Sequence, residues 1–212
     1  MKGKYQRLNE FKVPAGFRGR SAFYVQLWWF VQSSLFAMSP QVMYGWRAWL
    51  LGLFGARIGK GVIIRPSVRI TYPWKLTIGD CCHIGDDVQL YTLGEIEIGS
   101  HSVVSQRSYL CTGAHDYTSP TFDIFAKKIV IESEAWIATD VFVGPGVKIG
   151  QGAVVGARSS VFQDVPSGTI CIGTPAHVIR ERRMKDDVPQ DGADINSEKH
   201  ISMTVDVLQK ED

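Results

Sequence analysis

The fold is decided by the stretch IESEAWIATDVFVGPGVKIGQGAVVGARSSV, residues 131–161. An aliphatic side chain recurs there at every sixth position: Ile131, Ile137, Val143, Ile149, Val155 and Val161. This period differs from the period of about 3.6 of an amphipathic helix and from the simple alternation of a half-buried strand. It fits a short strand followed by a tight turn, with three such units to each triangular coil. Stacked coils bury their aliphatic side chains along a common axis, so the sequence predicts an all-β solenoid.

The same spacing begins at Ile58 and slips by two residues before Ile78 and again before Ile98. The first coils therefore have 20 residues each, from Ile58 to Ile78 to Ile98, whereas the coil from Ile131 to Ile149 has 18. Extra residues can be accommodated at the corners of a solenoid. We therefore expect the periodic aliphatic residues to form the core.

The overall composition excludes several functions. The 212 residues carry a net charge of +2, which does not favour nucleic-acid binding. The four cysteines form no CxxC pair, and no two histidines or cysteines have the spacing of a metal site. We therefore expect reduced thiols and no bound metal. No signal-peptide pattern is visible, so we expect a cytoplasmic protein.

The repeat divides the chain into three segments. Residues 1–57 hold eight basic residues, a single acid and four of the six tryptophans. We expect a helical cap over the first coil there, with contact to the inner face of a membrane as an additional role left open. Residues 58–180 form the solenoid, interrupted by a loop over 111–130. Residues 181–212 are polar, and we expect a mobile tail with at most one short helix or strand.

Several stretches resemble one family of enzymes. They are VQLWWFVQ (25–32), SPQVMYGWRAWLLGLFGARIGKGV (39–62), CTGAHDYTSP (111–120), EAWIATDVFVGPGVKIGQGAVVGARSSVFQDVP (134–166) and GTPAHVIRER (173–182). From about Phe11 to Arg183 the chain resembles the hexapeptide-repeat acyltransferases, and among them the acetyltransferases assigned to colanic acid biosynthesis, which are related to galactoside, maltose and nodulation-factor O-acetyltransferases. The resemblance implies a left-handed parallel β-helix, a homotrimer with active sites between subunits, and acetyl transfer from acetyl-CoA to a sugar or lipid-linked oligosaccharide.

The loop contains the candidate catalytic group. His115 matches the general base of the family, and a neutral imidazole can accept the proton of an attacking hydroxyl near neutral pH. Three roles are open for Asp116: orienting His115, contacting the acceptor or capping a turn. We expect Tyr117 to form a wall of the acceptor pocket. Further candidates for acceptor binding lie in an earlier coil: Asp87, Tyr91 and Thr92.

The resemblance also implies a slot for the coenzyme. Trp136 would flank the thioester or pack at the trimer interface, and the two roles are compatible because the interface forms the slot. Backbone groups of Ala138 and Thr139 would bind the pantetheine arm. The small residues Gly156 and Ala157 would let the coenzyme lie close to the coil.

The chain departs from the family pattern where the nucleotide phosphates would bind. Phe162 and Gln163 replace a Thr-Lys pair, and His177 replaces the lysine of a Pro-Ala-Lys signature. Arg180 remains as a candidate phosphate contact, because a guanidinium can form forked hydrogen bonds to phosphate. Three other arginines are candidates to compensate for the missing cations: Arg158, Arg182 and Arg183.

We therefore predict a CoA-dependent O-acetyltransferase that acts by direct transfer. Cys111 lies next to the loop, but it has no activating neighbour in the sequence, so a covalent acyl-enzyme is not expected. Two alternatives stay open. Related solenoid enzymes acetylate amino sugars on nitrogen, and a β-helix can serve as a scaffold without catalysis.

Overall fold

The computed structural model of the protein describes residues 5–184. The chain begins with a short 3₁₀ turn, Leu8–Glu10, and continues into helix α1, Ala22–Val31. A π-helical turn, Gln32–Phe36, follows α1 directly, and helix α2 spans Tyr44–Leu53. None of the helices in this part of the chain combines the length and the apolarity that crossing a membrane requires.

Three strands make up each of the first five coils. The first three coils contain β1 (Arg57–Ile58), β2 (Ile63–Ile64), β3 (Arg69–Ile70), β4 (Leu76–Ile78), β5 (His83–Ile84), β6 (Gln89–Tyr91), β7 (Ile96–Ile98), β8 (Val103–Val104) and β9 (Tyr109–Cys111). Two strands interrupt the solenoid: β10 (Gly113–His115) and β11 (Ile124–Ala126). The chain continues with β12 (Ile129–Ile131), β13 (Trp136–Ile137), β14 (Phe142–Val143), β15 (Lys148–Ile149), β16 (Val154–Val155), β17 (Ser160–Val161), β18 (Thr169–Gly173) and β19 (Ala176–Glu181).

Equivalent strands of successive coils pair in parallel and form the three faces of the solenoid. The first face has the order β1-β4-β7-β12-β15, the second β2-β5-β8-β13-β16-β18, and the third β3-β6-β9-β14-β17. On the first face Ile58, Ile78 and Ile98 lie opposite one another, and Ile131 and Ile149 continue the column. The parallel solenoid and the register of its core are therefore confirmed.

Close stacking of the coils requires small residues at the corners. A Cβ atom on Gly99 would lie 2.4 Å from the backbone nitrogen of Ser133 in the next coil. Buried polar groups are satisfied by hydrogen bonds between neighbouring coils. The Ser108 hydroxyl donates to the carbonyl oxygen of Ala138, one coil further on, at 2.6 Å. Within residues 5–184 no buried side-chain nitrogen or oxygen lacks a hydrogen-bond partner.

The helices cover the open edge of the first coil. An uncovered edge strand would expose unpaired N–H and C=O groups. Here Trp28 Nε1 donates to the carbonyl of Ile70 at 2.8 Å, and the Gln32 side chain accepts from the Ile70 N–H at 2.6 Å. The guanidinium of Arg47 donates to the carbonyl of Ile64 at 2.6 Å. The predicted helical cap is confirmed, because these side chains satisfy the edge that a further coil would otherwise cover.

The other end of the solenoid is closed by a hairpin. Strand β18 pairs in parallel with β16, and β19 folds back antiparallel on β18. The predicted short helix or mobile tail falls on residues 181–212, most of which lie outside the described residues.

Candidate active site

The interruption of the repeat forms a hairpin arm, residues 113–126. Strands β10 and β11 pair antiparallel, with His115 opposite Ile124, and the Asp116 N–H donates to the Asp123 carbonyl at 2.8 Å. The sequence predicts a loop here, whereas the chain forms two short strands. The strand sequence GAH has little β propensity of its own, so it is the pairing with β11 that orders it.

His115 is held in one orientation by Phe122. Its Nδ1 lies 2.8 Å from the carbonyl oxygen of Phe122. Because a carbonyl oxygen can only accept, Nδ1 carries the hydrogen in the neutral ring, and Nε2 keeps a free lone pair. The Phe122 ring stacks on the imidazole, with 4.1 Å between the centroids and 10° between the planes. The arm therefore presents Nε2 of His115 as a proton acceptor.

The backbone of Phe122 is in the left-handed region, with φ 55°. A bulky residue seldom adopts this conformation, although seven non-glycine residues in the turns of the solenoid share it. The conformation coincides with the hydrogen bond and the ring stacking to His115. Sequence reasoning missed Phe122, because the group that bonds His115 is a backbone carbonyl, which no residue type signals.

Asp116 caps a turn. Its carboxylate accepts from the Thr118 hydroxyl at 2.6 Å and from the Thr118 N–H at 2.8 Å. These two bonds, the hydroxyl first, lower the pKa of Asp116. Since Nδ1 of His115 is already bonded to Phe122, the geometry favours the turn among the three roles considered for Asp116. Tyr117 follows at the tip of the arm and is 84% exposed, accessible to a ligand but packed on little of the protein.

The N-terminal segment reaches the arm. The Arg7 N–H donates to the carbonyl of Pro120 at 2.7 Å, and Arg7 forms an ion pair with Glu10 at 2.9 Å. The Phe11 ring lies 5.8 Å from the imidazole of His115, centroid to centroid. The segment thus forms one side of the space around His115. No sequence signal pointed to it, because these contacts join residues more than a hundred positions apart.

Two of the three candidates in the second coil remain accessible. Tyr91 packs edge-on against Tyr109, with 6.0 Å between the centroids, and its ring lies beside Gly113 at the base of the arm. Asp87 is exposed at a corner with φ 58°. Thr92 is fully buried, and its hydroxyl both accepts from the Tyr72 N–H and donates to the Tyr72 carbonyl. In this structure the Thr92 side chain therefore holds two coils together and is not accessible to an acceptor.

The predicted coenzyme residues are spread over the second face and its corners. Trp136 on β13 is partly exposed, and its Nε1 donates to the Ser105 hydroxyl at 3.0 Å. The N–H of Ala138 donates to the carbonyl of Val155, and the Ala138 carbonyl accepts from Ser108. The Ala138 N–H is therefore engaged within the solenoid, and any contact of this residue with a pantetheine amide would have to use its carbonyl oxygen.

Thr139 is tied to a neighbouring coil in a similar way. Its hydroxyl donates to the carbonyl of Gln106 at 3.0 Å, and its own carbonyl accepts from the Arg158 N–H at 2.9 Å. Gly156 is small for a reason within the protein: a Cβ atom there would lie 2.5 Å from Cγ2 of Ile172 on β18. The structure thus accounts for Gly156 by coil packing, whether or not a coenzyme lies nearby.

Basic side chains near the C-terminal hairpin differ in availability. Strand β19 carries His177 opposite Ile172 and Arg180 opposite Ile170, and both basic side chains are exposed. Arg182, by contrast, donates to the carbonyls of Glu134 and Gly152 and so braces the solenoid. Of two further candidates, Ala157 is partly buried and Arg158 is exposed, with its guanidinium 3.8 Å from the Asp140 carboxylate.

A groove of about 550 Å³ on the first face lies away from these residues. It is lined by Thr77, Glu97, Val130, Glu132 and Gln151, among others. Two carboxylates on its wall suit it poorly to the phosphates of a coenzyme. Across residues 5–184 no group of three or more His, Cys, Asp or Glu side chains is arranged to hold a metal ion.

Comparison with known proteins identifies the family to which the chain belongs. No family model matches the chain. WcaF of Escherichia coli (strain K12), whose proposed role is that of a colanic acid biosynthesis acetyltransferase, is 66% identical over 177 residues, 84% of this chain and 97% of the relative. The chain belongs to the hexapeptide-repeat acetyltransferase family. The present chain is also 28% identical over 134 residues to the galactoside O-acetyltransferase of Escherichia coli (strain K12). The match covers 62% of this chain and 66% of that relative.

A solved structure extends the comparison to the fold. The hexapeptide-repeat acetyltransferase of Vibrio cholerae O1 biovar eltor, crystallised in complex with acetyl coenzyme A, superposes with a TM-score of 0.71 at 26% identity. The superposition covers 78% of this chain and 92% of that chain. The predicted left-handed parallel β-helix and the prediction of an acyltransferase are both confirmed.

Proposed function

We propose that the enzyme transfers an acetyl group from acetyl-CoA directly to a hydroxyl of a sugar or a lipid-linked oligosaccharide precursor, with His115 as the general base. The observation that carries the proposal is the hydrogen bond from Nδ1 of His115 to the Phe122 carbonyl, which leaves Nε2 as the free basic nitrogen. The related galactoside O-acetyltransferase supports a sugar hydroxyl as the acceptor. The acetyl-CoA bound to the Vibrio relative supports the donor.

The proposed reaction balances without a covalent enzyme intermediate. Nε2 of His115 takes the proton of the acceptor hydroxyl as its oxygen attacks the thioester carbonyl carbon. The tetrahedral intermediate then expels the sulfur of the coenzyme, and the imidazolium returns the proton to that sulfur. The Phe122 carbonyl stabilises the imidazolium that forms between these steps, because it accepts from the Nδ1–H throughout.

The donor site belongs to the same proposal. Trp136 and Arg180 are exposed on the second face and can reach a ligand, one as an apolar wall and the other as a phosphate contact. We place the active site between the subunits of a cytoplasmic homotrimer, where the second face of one solenoid meets the arm of its neighbour. Equilibrium sedimentation gives the subunit number directly.

Calorimetry with acetyl-CoA tests the donor site. The wild-type enzyme is expected to bind the coenzyme, and Trp136→Ala and Arg180→Ala are each expected to weaken binding by about tenfold. Phe125→Ala, on the arm, is the matched control and should bind as the wild type does. A wild type that fails to bind at millimolar coenzyme would contradict the donor assignment.

Mass spectrometry of a sugar panel incubated with enzyme and acetyl-CoA tests the acceptor. A mass increase of one acetyl group indicates transfer. Loss of that acetyl group in mild base identifies it as an ester and therefore indicates O-acetylation. Transfer only to amino sugars, giving a base-stable amide, would replace this proposal with N-acetylation.

A further inference from the structure

Helix α1 has two apolar faces. Val25, Trp28 and Val31 are buried against the solenoid. On the opposite side Phe23 is 79% exposed and Phe30 is 68% exposed. With Leu27, also exposed, they follow the spacing of four and three residues that places side chains on one stripe. A helix packed on one side of a globular protein normally turns a polar face to water, which this helix does not.

The exposed apolar surface continues beyond α1. It comprises ten residues of the π-helical turn, the connector and both helices, which we call the cap surface: Phe23, Leu27, Trp29, Phe30, Leu35, Met38, Val42, Met43, Trp49 and Leu53. Half of the exposed large hydrophobic side chains of residues 5–184 thus lie within 31 consecutive positions, 23–53. Trp46 links the parts, since its Nε1 donates to the Leu35 carbonyl and its ring stacks on Trp49. Concentrated apolar exposure of this kind marks an interaction surface.

The chain segment that carries the cap surface has charges of a single sign. Residues 11–79 contain no aspartate or glutamate and nine basic residues: Lys12, Arg18, Arg20, Arg47, Arg57, Lys60, Arg65, Arg69 and Lys75. Only Arg47 of these is buried. Asp86 of the second coil pairs with Arg65 at 3.6 Å, and the other basic residues leave this segment cationic, although the whole chain carries a net charge of only +2. The combination of exposed tryptophan and phenylalanine with arginine and lysine is typical of protein that lies in a lipid headgroup region.

We propose that the cap surface docks the enzyme on an anionic lipid bilayer. Each helix has ten residues, too few to span a bilayer, so the helices lie along the surface. A second copy of this end is the less favourable occupant, because it would bring two segments with an excess of basic residues together. The docking itself is independent of the acyl acceptor and of His115. Its consequence, acetyl transfer at a membrane face, rests on the proposed function.

Co-sedimentation of the full chain with vesicles tests the docking. We expect binding to vesicles of mixed phosphatidylglycerol and phosphatidylcholine, little binding to phosphatidylcholine alone, and weaker binding at high salt. The double variant Phe23→Ser/Phe30→Ser should lower vesicle partitioning by about tenfold or more, because both rings lose their place in the headgroup layer. Phe162→Ser, whose ring is 59% exposed outside the cap surface, is the matched control and should bind as the wild type does.

A second pair of substitutions separates charge from apolar contact. Arg18→Gln/Arg20→Gln should weaken binding to the anionic vesicles and leave the salt dependence shallower. Equal sedimentation of wild type and the Phe23→Ser/Phe30→Ser variant would overturn the proposal. So would a lower oligomer mass of that variant in lipid-free solution, since the cap surface would then be an interface between protein copies. We expect the variants to fold, because the substituted side chains are exposed, and circular dichroism is the check.

Discussion

Removing the Phe122 ring should slow the enzyme without weakening donor binding. The ring stacks on the imidazole of His115 at 4.1 Å and 10°, a geometry that stabilises a pair of aromatic rings by about 1 kcal/mol. In Phe122→Ala the carbonyl that bonds Nδ1 remains, but the imidazole loses the stack that holds it against rotation. A loss of about 1 kcal/mol lowers the ratio of productive to other orientations by about fivefold, and kcat should fall by up to about that factor.

The assay follows release of the coenzyme thiol at saturating acetyl-CoA and acceptor. Phe125→Ala, one strand residue from the arm's end, removes a partly exposed ring that does not stack on His115 and should keep kcat within about twofold. Phe122→Gly also removes the ring but relieves the strained φ of 55°, so its arm should be at least as stable as that of Phe122→Ala. An unchanged kcat in Phe122→Ala, or a loss of acetyl-CoA affinity, would refute the positioning role.

Other predictions concern stability and thiol reactivity. Arg47→Met should lower the free energy of unfolding by about 3 kcal/mol in urea titration, since the guanidinium is fully buried and donates to the Ile64 carbonyl at the edge of the solenoid and to three oxygens of residues 39–41 in the connector. Wild-type stability in that variant would show that the edge does not need these bonds. Iodoacetamide at pH 8 should modify exposed Cys81 and spare Cys171 until unfolding, because burial raises the pKa of Cys171 to about 11. Rapid modification of Cys171 in the folded protein, read by peptide mass spectrometry, would contradict its burial. Gly156→Ala should cost about 1–3 kcal/mol of stability through overpacking while leaving acetyl-CoA affinity unchanged, and a calorimetric loss of affinity would restore a coenzyme role to this position.

The solenoid could be predicted from the sequence because its signal is local and repeated. The aliphatic residue at every sixth position lies in the same environment. The register between coils could therefore be read correctly across the two-residue slips before Ile78 and Ile98. The helical cap followed from a general need to cover the first coil, and the run of tryptophans and apolar residues identified the segment that does so.

The candidate site could be predicted only in part. His115 stood out because it interrupts a regular pattern, but its partner is the carbonyl of Phe122, and backbone groups leave no mark in a sequence. The sequence likewise could not show that polar groups of Thr92 and Ala138 are engaged inside the solenoid. Hydrogen bonds between coils occupy their polar groups, and which groups the coils consume depends on register and burial rather than on residue type.

The contribution of the N-terminal segment was out of reach for the sequence. Phe11 and Arg7 meet the arm across more than a hundred residues, and no periodicity or motif links such distant positions. Pairing of the arm into two strands was missed because three-residue strands without β-branched alternation resemble irregular loops.

The most direct measurement of the central claim is the turnover number of His115→Ala with acetyl-CoA and the acceptor found in the sugar panel, beside Asp116→Ala and the wild type. If Nε2 of His115 is the general base, kcat of His115→Ala falls by about 10²–10⁴-fold while acetyl-CoA affinity stays near that of the wild type. Asp116→Ala, which loses only a turn cap, should retain kcat within about tenfold. A wild-type turnover number in His115→Ala would contradict the account.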